Sequence, residues 1–184
     1  MKNRRKRLLA LVLVLILTIS MSATAFAAVR ISRKSITIAV NAPRWLHVDG
    51  TKKKVTWKST NTKVVTVKQT GTITGKKAGK ATVVARVAGK SYKCAVTVLN
   101  DRQIANRIRA KVGAKYSHTS VLDYYRKGST LIVTLNHPQG DGAVPGVYRV
   151  NLKTGKAVAD YDLWSSFYRK APRKLTVFRH RKNK

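Results

Sequence analysis

The residues able to do chemistry are few and scattered. The histidines are His47, His118, His137 and His180, and no two stand at the spacings that place imidazoles on one metal. Cys94 is the sole cysteine, so neither a thiolate cluster nor an internal disulfide can form. His137 with Asp141 and Asp160, or Ser117 or Ser120, supplies the residue types of a hydrolase, but no spacing sets a nucleophile against a base. Glycosidase chemistry needs paired carboxylates and calcium needs a dense oxygen cage. The chain has six acids, all aspartate and scattered along it, with only Asp160 and Asp162 close together. Gly75-Lys76-Lys77-Ala78-Gly79-Lys80-Ala81 looks superficially like a phosphate loop. It is one residue short between its glycines, and Ala81 stands where a magnesium-binding hydroxyl belongs. The reading is therefore no catalytic residue, no cofactor and no metal.

What the chain has in excess is positive charge. Its 184 residues carry 39 Lys and Arg against six acids, a formal net charge of +33. Such imbalance speaks to partners rather than to fold. It points to an anionic cell-wall polymer, an acidic glycan or an anionic lipid surface. The candidate polyanion-binding residues are Lys52, Lys53, Lys54, Lys76, Lys77, Lys80, Arg169, Lys170, Arg173 and Lys174. Lysines on strand edges and turns also discourage sheets from pairing edge to edge, so charge has a structural role beside any binding role.

The positioning elements follow from hydrophobic patterning. Residues 1–27 read as a secretory signal peptide: Lys2, Arg4, Arg5, Lys6 and Arg7, then an apolar run from Leu8 to Ile19, then Ala25-Phe26-Ala27 before the cut. The apolar run is about a dozen residues, short of the ~20 that span a bilayer. Cleavage removes five of the basic residues and none of the acids. The expectation is a secreted protein, extracellular or held non-covalently at the wall, with no later transmembrane segment. Export makes specific nucleic-acid binding a poor match.

Between residues 29 and 100, short apolar-polar alternations succeed one another with turn signals between them. Ile36, Ile38 and Val40 share one strand face; Val55, Trp57 and Ser59 another; Ala81, Val83, Ala85 and Val87 a third; Tyr92, Cys94, Val96 and Val98 a fourth. Gly71, Gly75 and Gly79 punctuate the middle. The pattern predicts a two-sheet β-sandwich with Trp57 as central core aromatic and Cys94 as an inert buried thiol. Trp45 and His47 point away from the face that holds Leu46, making Trp45 a candidate exposed aromatic contact for a sugar ring or a partner.

From 101 to 168 the sequence predicts a small α+β domain. Ile104, Ile108 and Val112 give one amphipathic helix ending near Gly113. Strands follow at 120–125, 129–135, 147–152 and 157–161, as an antiparallel meander. Pro138 to Gly146 reads as a loop. Residues 169–184 read as a basic tail with one further strand near Leu175 to Phe178, so the fold class is mainly β.

The stretches Ser35-Ile36-Thr37-Ile38, Val55 to Asn61, Val64 to Val67, Gly71 to Ala85 and Tyr92 to Val98 together resemble the bacterial immunoglobulin-like domain, group 2, over residues 31–99. Asn41-Ala42-Pro43-Arg44-Trp45 departs from the glycine-led turn more frequent in that family. The resemblance implies a β-sandwich of secreted and surface proteins, a spacer or adhesive module without catalytic residues. The turn Val150 to Lys156 loosely resembles the small secreted PepSY-type modules and brings no functional residue with it. The expected function is a non-catalytic envelope protein that binds anionic polymers electrostatically. The alternative is a small exported enzyme or protease inhibitor acting through residues 101–184, motivated by the loop at Pro138.

Overall fold

The computed structural model describes residues 28–113, 118–139, 142–160, 174–178 and 181–182. The signal segment and Arg169, Lys170 and Arg173 lie outside the described residues. In chain order the elements are β1 (Arg30–Ile31), β2 (Arg33–Ala39), β3 (Pro43–Trp45), β4 (Val48–Asp49), β5 (Thr56–Ser59), β6 (Val65–Val67), β7 (Thr72–Gly75), β8 (Gly79–Val87) and β9 (Lys90–Leu99). Helix α1 (Asp101–Gly113) follows, then β10 (Ser120–Lys127), β11 (Thr130–Gln139), β12 (Gly142–Asn151), β13 (Lys156–Asp160), β14 (Lys174–Thr176) and β15 (Arg181–Lys182).

The first module is the predicted sandwich. One sheet runs β15-β2-β9-β8-β5, the other β3-β7-β6, with β1 and β4 paired at the side. Alternation drives the packing: Ile36, Ile38, Trp57, Val65, Ile73, Val83, Ala85, Cys94, Val96 and Val98 all turn inward and form one core. The sheets are not uniformly antiparallel, because β2 pairs β9 in parallel. Asn41 does the work of the absent glycine. It adopts φ 62°, a left-handed conformation that asparagine tolerates, and its N–H donates to Gly75 O at 2.9 Å.

The second module is the predicted helix on a meander, ordered β10-β11-β12-β13-β14. Ile104, Ala105, Ile108 and Val112 are buried against Leu131, Val133, Leu135, Tyr148, Val150 and Leu152. A capping box starts the helix: Gln103 N–H donates to Asn100 Oδ1 at 2.8 Å, and Asn100 N–H donates to Gln103 Oε1 at 3.0 Å. Ala39, Ala42 and Leu99 from the end of the sandwich join this second core, so no linker separates the modules.

Two expectations change. The stretch Pro138 to Gly146 is ladder for most of its length: Asn136 pairs Pro145 and Pro138 pairs Ala143. Proline is admissible there because β10 reaches only to Asn136 and β13 only to Val147. Beyond those points no described residue pairs with the outer edge of either strand, and there a missing N–H costs nothing. In the basic tail the further strand expected near Leu175 forms as β14, and the residues beyond it are also engaged. β14 adds to β13, Val177 and Phe178 are buried in the second core, and β15 pairs β2. Apolar burial of Val177 and Phe178 outweighs the solvation of the neighbouring charges.

Candidate functional site

The alternation that buries Trp57, Val83, Ala85 and Cys94 sends the intervening residues of the same strands outward. The register then decides which of them meet. Lys58 of β5 lies opposite Val84 of β8, and Val84 opposite Lys93 of β9. In the next row Arg86 stands between Thr56 and Ser91. Lys58, Arg86 and Lys93 are all exposed. Two strand spacings separate Lys58 from Lys93, roughly 10 Å, about one Debye length at 0.1 M salt. These cations therefore stand close enough for their fields to overlap. The carboxylates among the described residues are Asp49, Asp101, Asp123 and Asp160, and none stands on these strands. Among the described residues no carboxylate neutralises the charge of this face.

The lysines singled out from the sequence fall into two groups. Lys52, Lys53 and Lys54 are exposed in the connection entering β5, at the end where Thr56 pairs Arg86. Lys76 and Lys77 are exposed in the turn between β7 and β8, and Lys80 opens β8; Lys76 N–H donates to Val64 O at 2.8 Å. The groups sit at opposite ends of β8, roughly 25 Å apart by strand rise, with the Lys58–Lys93 row between them. Lys174 is exposed on β14 opposite Val158, in the other module. Sequence periodicity puts Lys58 and Lys93 on the solvent side, but their adjacency is a matter of register, and only pairing reveals it.

Trp45 is 61% exposed on the edge strand β3. Its Nε1–H donates to Thr70 O at 2.9 Å, and its ring stacks on His47 with centroids 4.5 Å apart and planes 25° apart. His47 Nε2 is 3.2 Å from Asp49 Oδ1, and Arg30 Nε is 3.9 Å from Asp49 Oδ2. On the inner side of β3, Arg44 is half-buried; burial and then the charge of Arg33 lower its pKa. Cys94 is fully buried, and burial pushes its thiol up to about 12 despite the opposing influence of Arg33. A thiol so placed is neither a nucleophile nor a metal ligand.

The hydrolase set does not assemble among the described residues. Asp160 is engaged by Arg149, whose Nε donates to Oδ2 at 2.7 Å. Asp141, Ser117 and the side chain of His137 lie outside the described residues. Among the described residues no three of His, Cys, Asp or Glu come together. A groove of about 390 Å³ between α1 and β10 is lined by Arg102, Asn106, Arg109 and Ser120 to Tyr124, with Asp123 its single carboxylate.

No curated protein matches the chain. Among solved structures, the S-layer protein rSbsC aligns at 12% identity over 74% of this chain and 22% of its own, with a TM-score of 0.34. The chain thus spans about a fifth of that protein's length, and a likeness of this degree decides nothing about fold or function. Residues 25–98 match the family model of the bacterial Ig-like domain (group 2), which bears out the resemblance carried by the strands of the sandwich.

Proposed function

We propose that this is a secreted, non-catalytic protein of the bacterial cell envelope, a spacer or adhesive module held to anionic polymer by the outer face of its sandwich. The carrying observation is the row Lys58–Val84–Lys93, with Arg86 beside it and no carboxylate on those strands. The family matched by residues 25–98 is a non-catalytic Ig-like one, which supports the reading. Lys52 to Lys54 at one end of β8 and Lys76, Lys77 and Lys80 at the other extend the row into a track. A flexible polyanion such as a wall polymer or an acidic glycan can follow such a track without any pocket. An anionic lipid surface would meet the same charges, each worth on the order of 1 kcal/mol near the bilayer.

The alternative of an exported enzyme or inhibitor in residues 101–184 drew on a loop at Pro138 to Gly146, and that stretch is mostly paired strand. No arrangement among the described residues favours it.

Salt titration tests the proposal. The full chain, without its signal segment, is bound to purified teichoic acid while NaCl is raised. The expected result is a steep loss of affinity with salt, and a shallower slope and weaker binding for the double variant Lys58→Glu, Lys93→Glu. Retention at 1 M salt, or a double variant that binds like the parent, would count against it.

A further inference from the structure

Trp45 is the large apolar group out of place. The other large exposed hydrophobics among the described residues, Leu122, Tyr124, Tyr125 and Val158, all belong to the second module. An indole left in water forgoes the free energy of burial. This one is nevertheless held still. Thr70 O takes its N–H, and His47 covers one of its faces. His47 is fixed in turn by Asp49, and the β1–β4 pairing sets Arg30 against Asp49. His47 Nε2 faces the carboxylate, and its buried Nδ1 has no hydrogen-bond partner among the described residues. The imidazole is therefore a brace for the indole. What the braced ring offers is its second face, already ordered, so a ligand meets little further loss of rotamer freedom.

The surroundings select the ligand. Thr72 lies directly across the β3–β7 ladder from Trp45, and its hydroxyl is 3.2 Å from that of Thr70. In the next row Pro43 stands opposite Thr74, and Thr74 opposite Thr66. Protein partners are anchored by aromatic residues set in a desolvated apolar patch. Here a lone indole has the hydroxyl residues Thr70 and Thr72 as its neighbours instead of an apolar patch. A pyranose has the complementary form, with an apolar C–H face to lie on the indole and hydroxyls around its edge.

We propose that Trp45 is a stacking platform for a sugar ring of an envelope polysaccharide. Thr70 and Thr72 stand at the hydroxyl edge, and His47 with Asp49 forms the positioning pair beneath. The contact requires no charge on the ligand, so it goes beyond the electrostatic reading and does not rest on it.

The test is retention of the full chain on two uncharged or charge-stripped polymers, chitin and acid-extracted peptidoglycan, at 1 M NaCl, where the Debye length is about 3 Å. The wild type is retained on at least one of them. Trp45→Ala binds about tenfold more weakly, with the fold retained and the melting temperature only slightly lowered, because most of the side chain is exposed. Trp45→Phe falls between. His47→Ala, which keeps the indole but removes its brace, also weakens binding, and His47→Phe recovers part of it by restoring the stack. Equal retention of Trp45→Ala and wild type, or retention of the wild type on neither polymer, overturns the platform. Loss of low-salt binding to teichoic acid would instead strike at the electrostatic reading alone.

Discussion

Arg126 of β10 reaches Asp101 at the start of α1: its Nε donates to Asp101 Oδ2 at 3.0 Å, and its Nη2 donates to the other oxygen. The same guanidinium donates from Nη1 to Val40 O at 2.9 Å, at the end of β2. One side chain thus ties the sheet, the helix and the sandwich together where the two modules meet. A planar fork with several fixed donors can do this; an ammonium cannot.

Replacing Arg126 with methionine is expected to cost about 1–3 kcal/mol, because Val40 O and Asp101 lose charge-assisted partners in a half-buried seam. Denaturant unfolding of Arg126→Met, Asp101→Asn and the double variant reads this directly. The double variant should cost less than the sum of the singles, with a coupling of about 0.5 kcal/mol or more. Strict additivity would mean that the contact does not tie the modules.

Gly71 makes a second expectation. It sits at φ +83°, and a Cβ there would lie 2.1 Å from Leu46 O and 3.1 Å from Trp57 Cζ2. Leu46 N–H also donates to Gly71 O at 3.0 Å, so the two backbones cannot separate without losing a bond. Gly71→Ala should therefore destabilise by about 3 kcal/mol or more, combining the left-handed penalty with a backbone clash. Thermal unfolding checks it. Gly89, which also has positive φ but has open space around its Cβ position, provides the comparison: Gly89→Ala should cost about 1–2 kcal/mol.

The helix start gives a third. Asn100→Ala removes the acceptor for Gln103 N–H while keeping the backbone N–H that donates to Gln103 Oε1, and should cost about 1 kcal/mol. Asn100→Ser should recover most of it, since a hydroxyl accepts in the same place. Equal stability of the alanine and serine variants by urea unfolding would show that packing at Ile104 and Ile108 alone sets the helix.

These sites differ in how far the sequence discloses them. Alternation reveals what faces inward, and so Trp57, Cys94, Ile104 and Ile108 are legible from the chain alone. Pairing across distance is not. Lys58 and Lys93 are readable as solvent-facing, but their common row depends on Val84 registering between them. The prolines at 138 and 145 read as breakers because a local rule cannot know that the described pairings of β10 and β13 stop at Asn136 and Val147. The apolar stretch Leu175 to Phe178 signals a strand, but the charges around it hide that Val177 and Phe178 are core residues, and the return of β15 to β2 has no local signal. Trp45 is legible as exposed, whereas the brace of His47 and Asp49 depends on the side pairing of β1 with β4.

Cys94 carries the last expectation, in its pH dependence. Burial raises its folded pKa from 9.0 to about 12. The folded thiol keeps its proton while the unfolded one gives it up, so the protonated core contributes its full stability below pH 9. That contribution is lost as pH rises from 9 toward 12, at about 1.4 kcal/mol per pH unit from this one group. Lysines and tyrosines titrate in the same range, so the measurement is a difference. Stability against pH is followed for the wild type and for Cys94→Ala, whose small side chain has no proton to lose. The variant is less stable at pH 7, because the sulfur leaves a cavity among Ile36, Val83 and Val96, and the two curves should converge as pH rises above 9. Parallel curves from pH 8 to 11 would mean that the thiolate is accommodated in the folded core, and a native thiol that reacts readily with maleimide at pH 8 would lead to the same conclusion.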